Sequence, residues 1–68
     1  MRAYREHVGR RVLVRCDDVT YRGQLAAARR GTLVLEQVTA HDRDSSQPVD
    51  GKVLVELGRV LHVQVPGQ

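Results

Sequence analysis

From Arg11 to Val65 the apolar residues recur largely at every second position, in short runs separated by residues that favour turns. A period of two puts successive side chains on opposite sides of an extended chain, so the pattern requires strands. Register follows from asking which turn sets apolar residues opposite one another, because a slip of one residue would expose a strand's whole apolar face to water. With Asp17 and Asp18 as a two-residue turn, Cys16 faces Val19, Val14 faces Tyr21 and Val12 faces Gly23. Asp tolerates the positive φ that such turns demand. With Arg29, Arg30 and Gly31 as a three-residue loop, Ala27 faces Leu33 and Leu25 faces Leu35, on the face that carries Val19 and Tyr21. Val34 and Val38 then fall on the other face, as expected of a bent strand covered on both sides. A three-residue turn of Gly58, Arg59 and Val60 pairs Leu57 with Leu61, Val55 with Val63 and Val53 with Val65, whereas a two-residue turn would set Val55 against His62.

Ahead of the strands, Ala3, Tyr4, His7 and Val8 recur at spacings of three and four, which predicts a helix over residues 1–8 with Gly9 as its stop. Two turns of helix do not persist alone, so this segment is expected to lie against the strands. Residues 41–51, reading HDRDSSQPVDG, combine many turn formers with almost nothing apolar and are expected to form an exposed, variable loop. Gly23 sits in mid-strand opposite Val12, where a missing side chain permits a sharp bend. The expected architecture is all-β: a short N-terminal helix followed by a five-stranded, strongly bent antiparallel small barrel, with residues 1–68 as a single domain.

Composition narrows what such a barrel can do. With 68 residues and neither Phe nor Trp, the core must be filled by Val and Leu; a domain of this size buries only about 60% of the surface its unfolded chain exposes. Cys16 is alone, so no intrachain disulfide staples the fold; this fits a reducing cytoplasm, and the thiol is expected to act as a small core hydrophobe. No run approaches the roughly 18 apolar residues of a membrane span, and the N-terminus has no apolar stretch of the signal-peptide kind. The net charge is +3, and ten of the eleven cations are Arg, whose planar fork suits phosphates.

A catalytic constellation, a metal site and a cofactor loop are each missing from the pattern, so the chain is read as no enzyme and as holding neither metal nor cofactor. His7, His41 and His62 are scattered over helix, loop and strand without zinc-ligand spacing. His62 is expected to lie near Glu56 as an exposed cross-strand pair. Gly31 and Gly58 are isolated turn glycines, not a phosphate cradle.

Three stretches carry a family resemblance. VLVRCDDVTYRGQL resembles the alternating strand, acidic turn and aromatic-x-Gly-x-Leu of the Sm-like family; TLVLEQV resembles its third strand, and VLVELGRVLHVQV its closing pair of strands. The match spans Gly9 to Pro66. It implies a bacterial-type homo-oligomeric ring of six or seven subunits, in which the fourth strand of one copy pairs with the fifth of the next, placing Val53, Val55, Val60, His62 and Gln64 at the interface. An independent reason for edge pairing is that the last strand, Val60 to Val65, carries no Lys, Asp or Glu to discourage it.

Family members hold uridine-rich single-stranded RNA with an Asp-x-apolar-x-Asn loop after the second strand and an Arg-Gly pair before the fifth. The corresponding positions here read Ala28-Arg29-Arg30-Gly31-Thr32 and Leu57-Gly58-Arg59, without the acid or the asparagine and with the arginine after its glycine. Base discrimination needs donors and acceptors placed at the base edge, whereas phosphate contact tolerates any base. The expectation is therefore single-stranded RNA bound through basic pore loops at Arg29, Arg30, Thr32, Gly58 and Arg59 with weak base specificity. The alternative is an Sm-like barrel that serves as a protein-interaction or structural module without RNA binding. Neither reading involves a membrane.

Overall fold

The computed structural model describes residues 2–67; Met1 and Gln68 lie outside it. The described residues form six antiparallel strands, one more than the alternation predicts: β1 (Arg11–Cys16), β2 (Thr20–Arg29), β3 (Thr32–His41), β4 (Ser46–Val49), β5 (Val53–Glu56) and β6 (Val60–Gln64). They lie in one sheet in the order β4-β3-β2-β1-β6, with β5 also on β3. The first half of β3 pairs with β5 and the second half with β4 on the edge not taken by β2.

The β1–β2 hairpin has the expected register: Val14 faces Tyr21, Val12 faces Gly23, and the Cys16 N–H donates to the Val19 carbonyl at 2.9 Å. The β2–β3 turn is tighter than expected. Arg29 pairs with Thr32, so the turn consists of Arg30 and Gly31 alone, with φ of 44° and 82°. Positive φ at both central residues is the primed turn whose twist matches that of the strands. Ala28, not Ala27, therefore faces Leu33, and a register shift between Leu25 and Ala27 restores the Leu25–Leu35 pair.

A second irregularity corrects the faces of β3. Gln37 has φ of 52°, and the register shifts between Arg22 and Gln24 opposite it. The extra residue inverts the alternation, so Val38 turns into the core at 2% exposure instead of lying on the outer face. Gly23 stands across from this bulge. A Cβ built on it would lie 2.9 Å from the Glu36 carbonyl oxygen, 2.9 Å from Val38 Cγ2 and 3.3 Å from Val38 Cα. Only glycine permits the two strands to approach so closely where the sheet bends.

The expected hairpin of the last two strands does not form. β5 pairs with β3, setting Val53 opposite Leu35 and Val55 opposite Leu33, while β6 crosses to β1, setting Val63 opposite Val14. A 3₁₀ turn at Leu57–Arg59 redirects the chain between them. Among the described residues β5 and β6 do not pair with each other, so the sheet is strongly bent but unclosed. Either arrangement satisfies the same apolar face, which is why alternation alone does not select the partner. His62 accordingly sits opposite Arg15 on β1.

The stretch 41–51 is not one loop either. His41 ends β3 and Ser46–Val49 returns as β4, an edge strand that accommodates Pro48. The remaining turn is closed by Asp42, whose Oδ1 accepts the N–H groups of Asp44 at 2.9 Å and Ser45 at 2.8 Å, and the Ser45 hydroxyl at 3.2 Å. The two backbone hydrogen bonds hold the Asp42 carboxyl below its ordinary range. The turn's tie is thus present above the unfolded carboxyl pKa and is lost as pH falls through the lowered folded value. Asp42→Ala is expected to raise hydrogen exchange selectively at the Asp44 and Ser45 amides at neutral pH while leaving the core amides of β2 and β3 protected.

At the N-terminus only Arg2–Arg5 is helical, a single turn in place of the helix over 1–8. The Gly9 N–H donates to the Leu25 carbonyl at 2.7 Å, and the Leu25 N–H donates to the Arg10 carbonyl at 2.9 Å. These bonds commit the chain to β2 before a second helical turn can close, and Gly9 takes φ of 95° to make the change. Tyr4 packs on the core, His7 is half-buried and Val8 is exposed; the side chain of Ala3 lies outside the described part. Val12, Val14, Leu25, Leu33 and Leu35 are buried almost completely, and no polar side chain is buried among the described residues.

Candidate nucleic-acid interface

Two tight turns meet at one end of the sheet. Pairing of Thr32 with Glu56 brings the start of β3 beside the end of β5, and the Leu57 N–H then donates to the Gly31 carbonyl at 2.8 Å. The Arg30–Gly31 turn is thereby fixed against the Leu57–Arg59 turn, although the two lie far apart in sequence. All the residues expected to contact RNA belong to this pair: Arg29, Arg30 and Thr32 on one side, Gly58 and Arg59 on the other. Arg29, Arg30, Gly58 and Arg59 are exposed and Thr32 is half-buried. Gly58 needs no special conformation, since a Cβ there would meet nothing within 4 Å.

The side chains diverge from the shared backbone. Arg29 lines a groove with Ala26, Ala27, Val34 and Lys52, a cation that sequence reading did not select. Lys52 is placed there by the β3–β5 pairing, the long-range contact that alternation leaves open, and its Nζ lies 3.7 Å from Glu36 Oε2. Arg59 turns the other way, towards Asp17, Asp18 and Leu54, with its Nε 3.7 Å from Glu56 Oε1. Exposed pairs of this kind contribute about 0–1 kcal/mol, so they leave both cations available to an anionic ligand.

Cys16 sits near Arg59 but offers no nucleophile. Burial, and next the charge of Asp17, push its thiol pKa up, with Arg59 opposing weakly. The thiol is therefore neutral at physiological pH, and the stability linked to it is present below the ordinary value of 9.0 and lost as pH rises through the raised one. Among the described residues no group of His, Cys, Asp and Glu is arranged to hold a metal, and no helix is long and apolar enough to cross a membrane.

The positions expected at an oligomer interface fall on β5 and β6, which, like β4, pair along one edge only. Val55 faces the chain's own core, Val53 and Val60 are half-buried against it, and His62 and Gln64 are exposed. The large apolar residues left in water on these strands are Leu54 at 68% exposure, which the sequence reading did not select, and Leu61 at 62%, which was expected to face Leu57 on the inward apolar side and instead points outward. Leu54 alternates with the inward Val53 and Val55. Leu61 lies where the β1–β6 register shifts.

Comparison with known structures defines the class of the fold as Sm-like. A heptameric archaeal Sm protein, discussed for its implications for the eukaryotic snRNP core, superimposes with a TM-score of 0.80 over 96% of this chain and 97% of its own, at 22% identity. A chain of the NatC complex bound to CoA gives a TM-score of 0.82 over 91% and 82% of the two chains at 23% identity. A chain of the NatC complex bound to Gag peptide and CoA gives 0.79 over 88% and 86% at 24%. No family model and no curated protein matches the sequence.

Proposed function

We propose that this is a non-catalytic, cytoplasmic Sm-like protein that assembles into a closed homo-oligomeric ring and holds single-stranded RNA at its paired turns with weak base specificity. The observation that carries this reading is the bond from the Leu57 N–H to the Gly31 carbonyl, which joins the two turns bearing Arg29, Arg30 and Arg59. Repetition around a ring would repeat these guanidiniums on either side of the joined turns in every subunit, a charge arrangement suited to phosphates and indifferent to base edges. The heptameric state of the archaeal Sm neighbour supports the ring, and the free edges of β5 and β6 supply backbone groups to close it.

Fluorescence anisotropy with uridine-rich and adenine-rich oligoribonucleotides tests the RNA reading. Affinity is expected to be similar for the two and to fall with salt at a log–log slope of about −0.7 for each phosphate neutralised. Arg29→Glu combined with Arg30→Glu is expected to weaken binding at least roughly tenfold and to flatten the slope. Unchanged binding in that double variant would remove these residues from the account.

The second reading, an Sm-like module that contacts proteins only, is favoured by the likeness to chains of the NatC complex together with the lack of base-reading residues in both turns. It predicts no RNA binding even at low salt.

A further inference from the structure

The outer face of the sheet carries a charge arrangement that the ring and the turns leave unused. On β1 Arg11, Leu13 and Arg15 alternate with the buried Val12, Val14 and Cys16, so they point outward. Arg11 pairs with Gln24 and Leu13 with Arg22, which makes Arg11 and Arg22 diagonal neighbours across the strands. Diagonal positions lie about 7–8 Å apart, close enough for like charges to repel. Among the described residues neither guanidinium lies within 4.0 Å of a carboxylate. Their neighbours in the same rows are Thr39, Pro48 and Gln64, while Glu36 lies one strand further, beyond Gln24, with its Oε2 3.7 Å from Lys52 Nζ. Between the two arginines Val12, Leu13 and Pro66 complete a groove of about 280 Å³.

Two uncompensated guanidiniums flanking an apolar floor match a ligand that is itself both acidic and apolar. We propose that this groove binds an acidic peptide, with an apolar side chain seated on Leu13 and Pro66 and carboxylates forked by Arg11 and Arg22. A carboxylate–guanidinium fork gains from the planar donors of Arg, and the long stems of both arginines add apolar contact. A nucleic-acid strand fits less well, because the groove has no aromatic ring on which a base could stack. The proposal uses neither the turn tips nor the strand edges, so it stands or falls apart from RNA binding and ring formation.

The test uses the full chain and a fluorescein-labelled peptide of repeated Asp-Asp-Leu, with an all-Asp peptide of equal length and a uridine-rich oligoribonucleotide as comparisons. The Leu-containing peptide is expected to bind several-fold more tightly than the all-Asp peptide. Arg11→Glu with Arg22→Glu should weaken it at least tenfold, while Arg29→Glu with Arg30→Glu leaves it unchanged. Arg11→Gln with Arg22→Gln is the folding control: relief of the repulsion should leave Tm equal or higher while peptide affinity falls. Equal binding of both peptides, binding insensitive to Arg11 and Arg22, or an oligoribonucleotide whose affinity depends on these two arginines would each overturn the proposal.

Discussion

Replacing Gly23 with alanine is expected to destabilise the domain by about 1–3 kcal/mol, towards the upper end because the clash is with backbone. The new Cβ would sit 2.9 Å from the Glu36 carbonyl oxygen and 3.3 Å from Val38 Cα, neither of which can rotate away as a side-chain tip would. Relief requires β2 and β3 to separate at the bulge, where Gln37 already occupies a left-handed conformation and Val38 fills the core. For a domain of this size each kcal/mol lowers Tm by about 4–8 °C, so thermal unfolding followed by circular dichroism should show a clear drop. Gly58→Ala is the matched comparison: its Cβ would enter open space, and Tm should stay within a few degrees of wild type. Equal Tm values for the two variants would sink the close-approach argument. The two glycines thus differ in meaning, one imposed by sterics and one sitting in a turn that tolerates a side chain.

The parts of the fold that were readable from sequence are those whose pairing is local. The β1–β2 hairpin has two apolar runs, a short acidic break and one register that pairs them, and the structure has that register. The partners of β5 and β6 were not readable, because Val53, Val55 and Val63 face the same core whether the strands pair with each other or separately with β3 and β1. Arg30 and Gln37 carried no signal for positive φ, a conformation that glycine or asparagine would have announced. The tighter β2–β3 turn and the bulge that brings Val38 inward follow from those two residues. At the candidate site the turn arginines were visible as Arg next to Gly and the Arg11–Arg22 diagonal follows from the readable β1–β2 register, whereas Lys52 acquires its neighbours only from the β3–β5 pairing.

Leu54→Asp and Leu61→Asp, made separately, are each expected to convert the protein from a closed oligomer to a monomer in native mass spectrometry or sedimentation at micromolar concentration. Both leucines are about two-thirds exposed on strands with an unpaired outer edge. Burying such a side chain contributes about 1.5–3 kcal/mol, and an aspartate in its place reverses the sign by requiring an unpaired carboxylate to lose its water. In a heterologous ring one substitution recurs at every interface, so a change modest for one contact is multiplied around the assembly. The monomer itself should be little affected, because exposed substitutions usually change stability by no more than about 0.5 kcal/mol. Loss of the oligomer without loss of Tm therefore separates assembly from folding. A wild-type chain that is already monomeric at these concentrations would refute the ring and leave the two edge leucines to a different partner. If the ring is present but only Leu61→Asp dissolves it, β6 supplies the apolar contact and β5 contributes backbone hydrogen bonds alone. That outcome is physically consistent, because edge pairing can draw its affinity from the main chain while side chains set specificity.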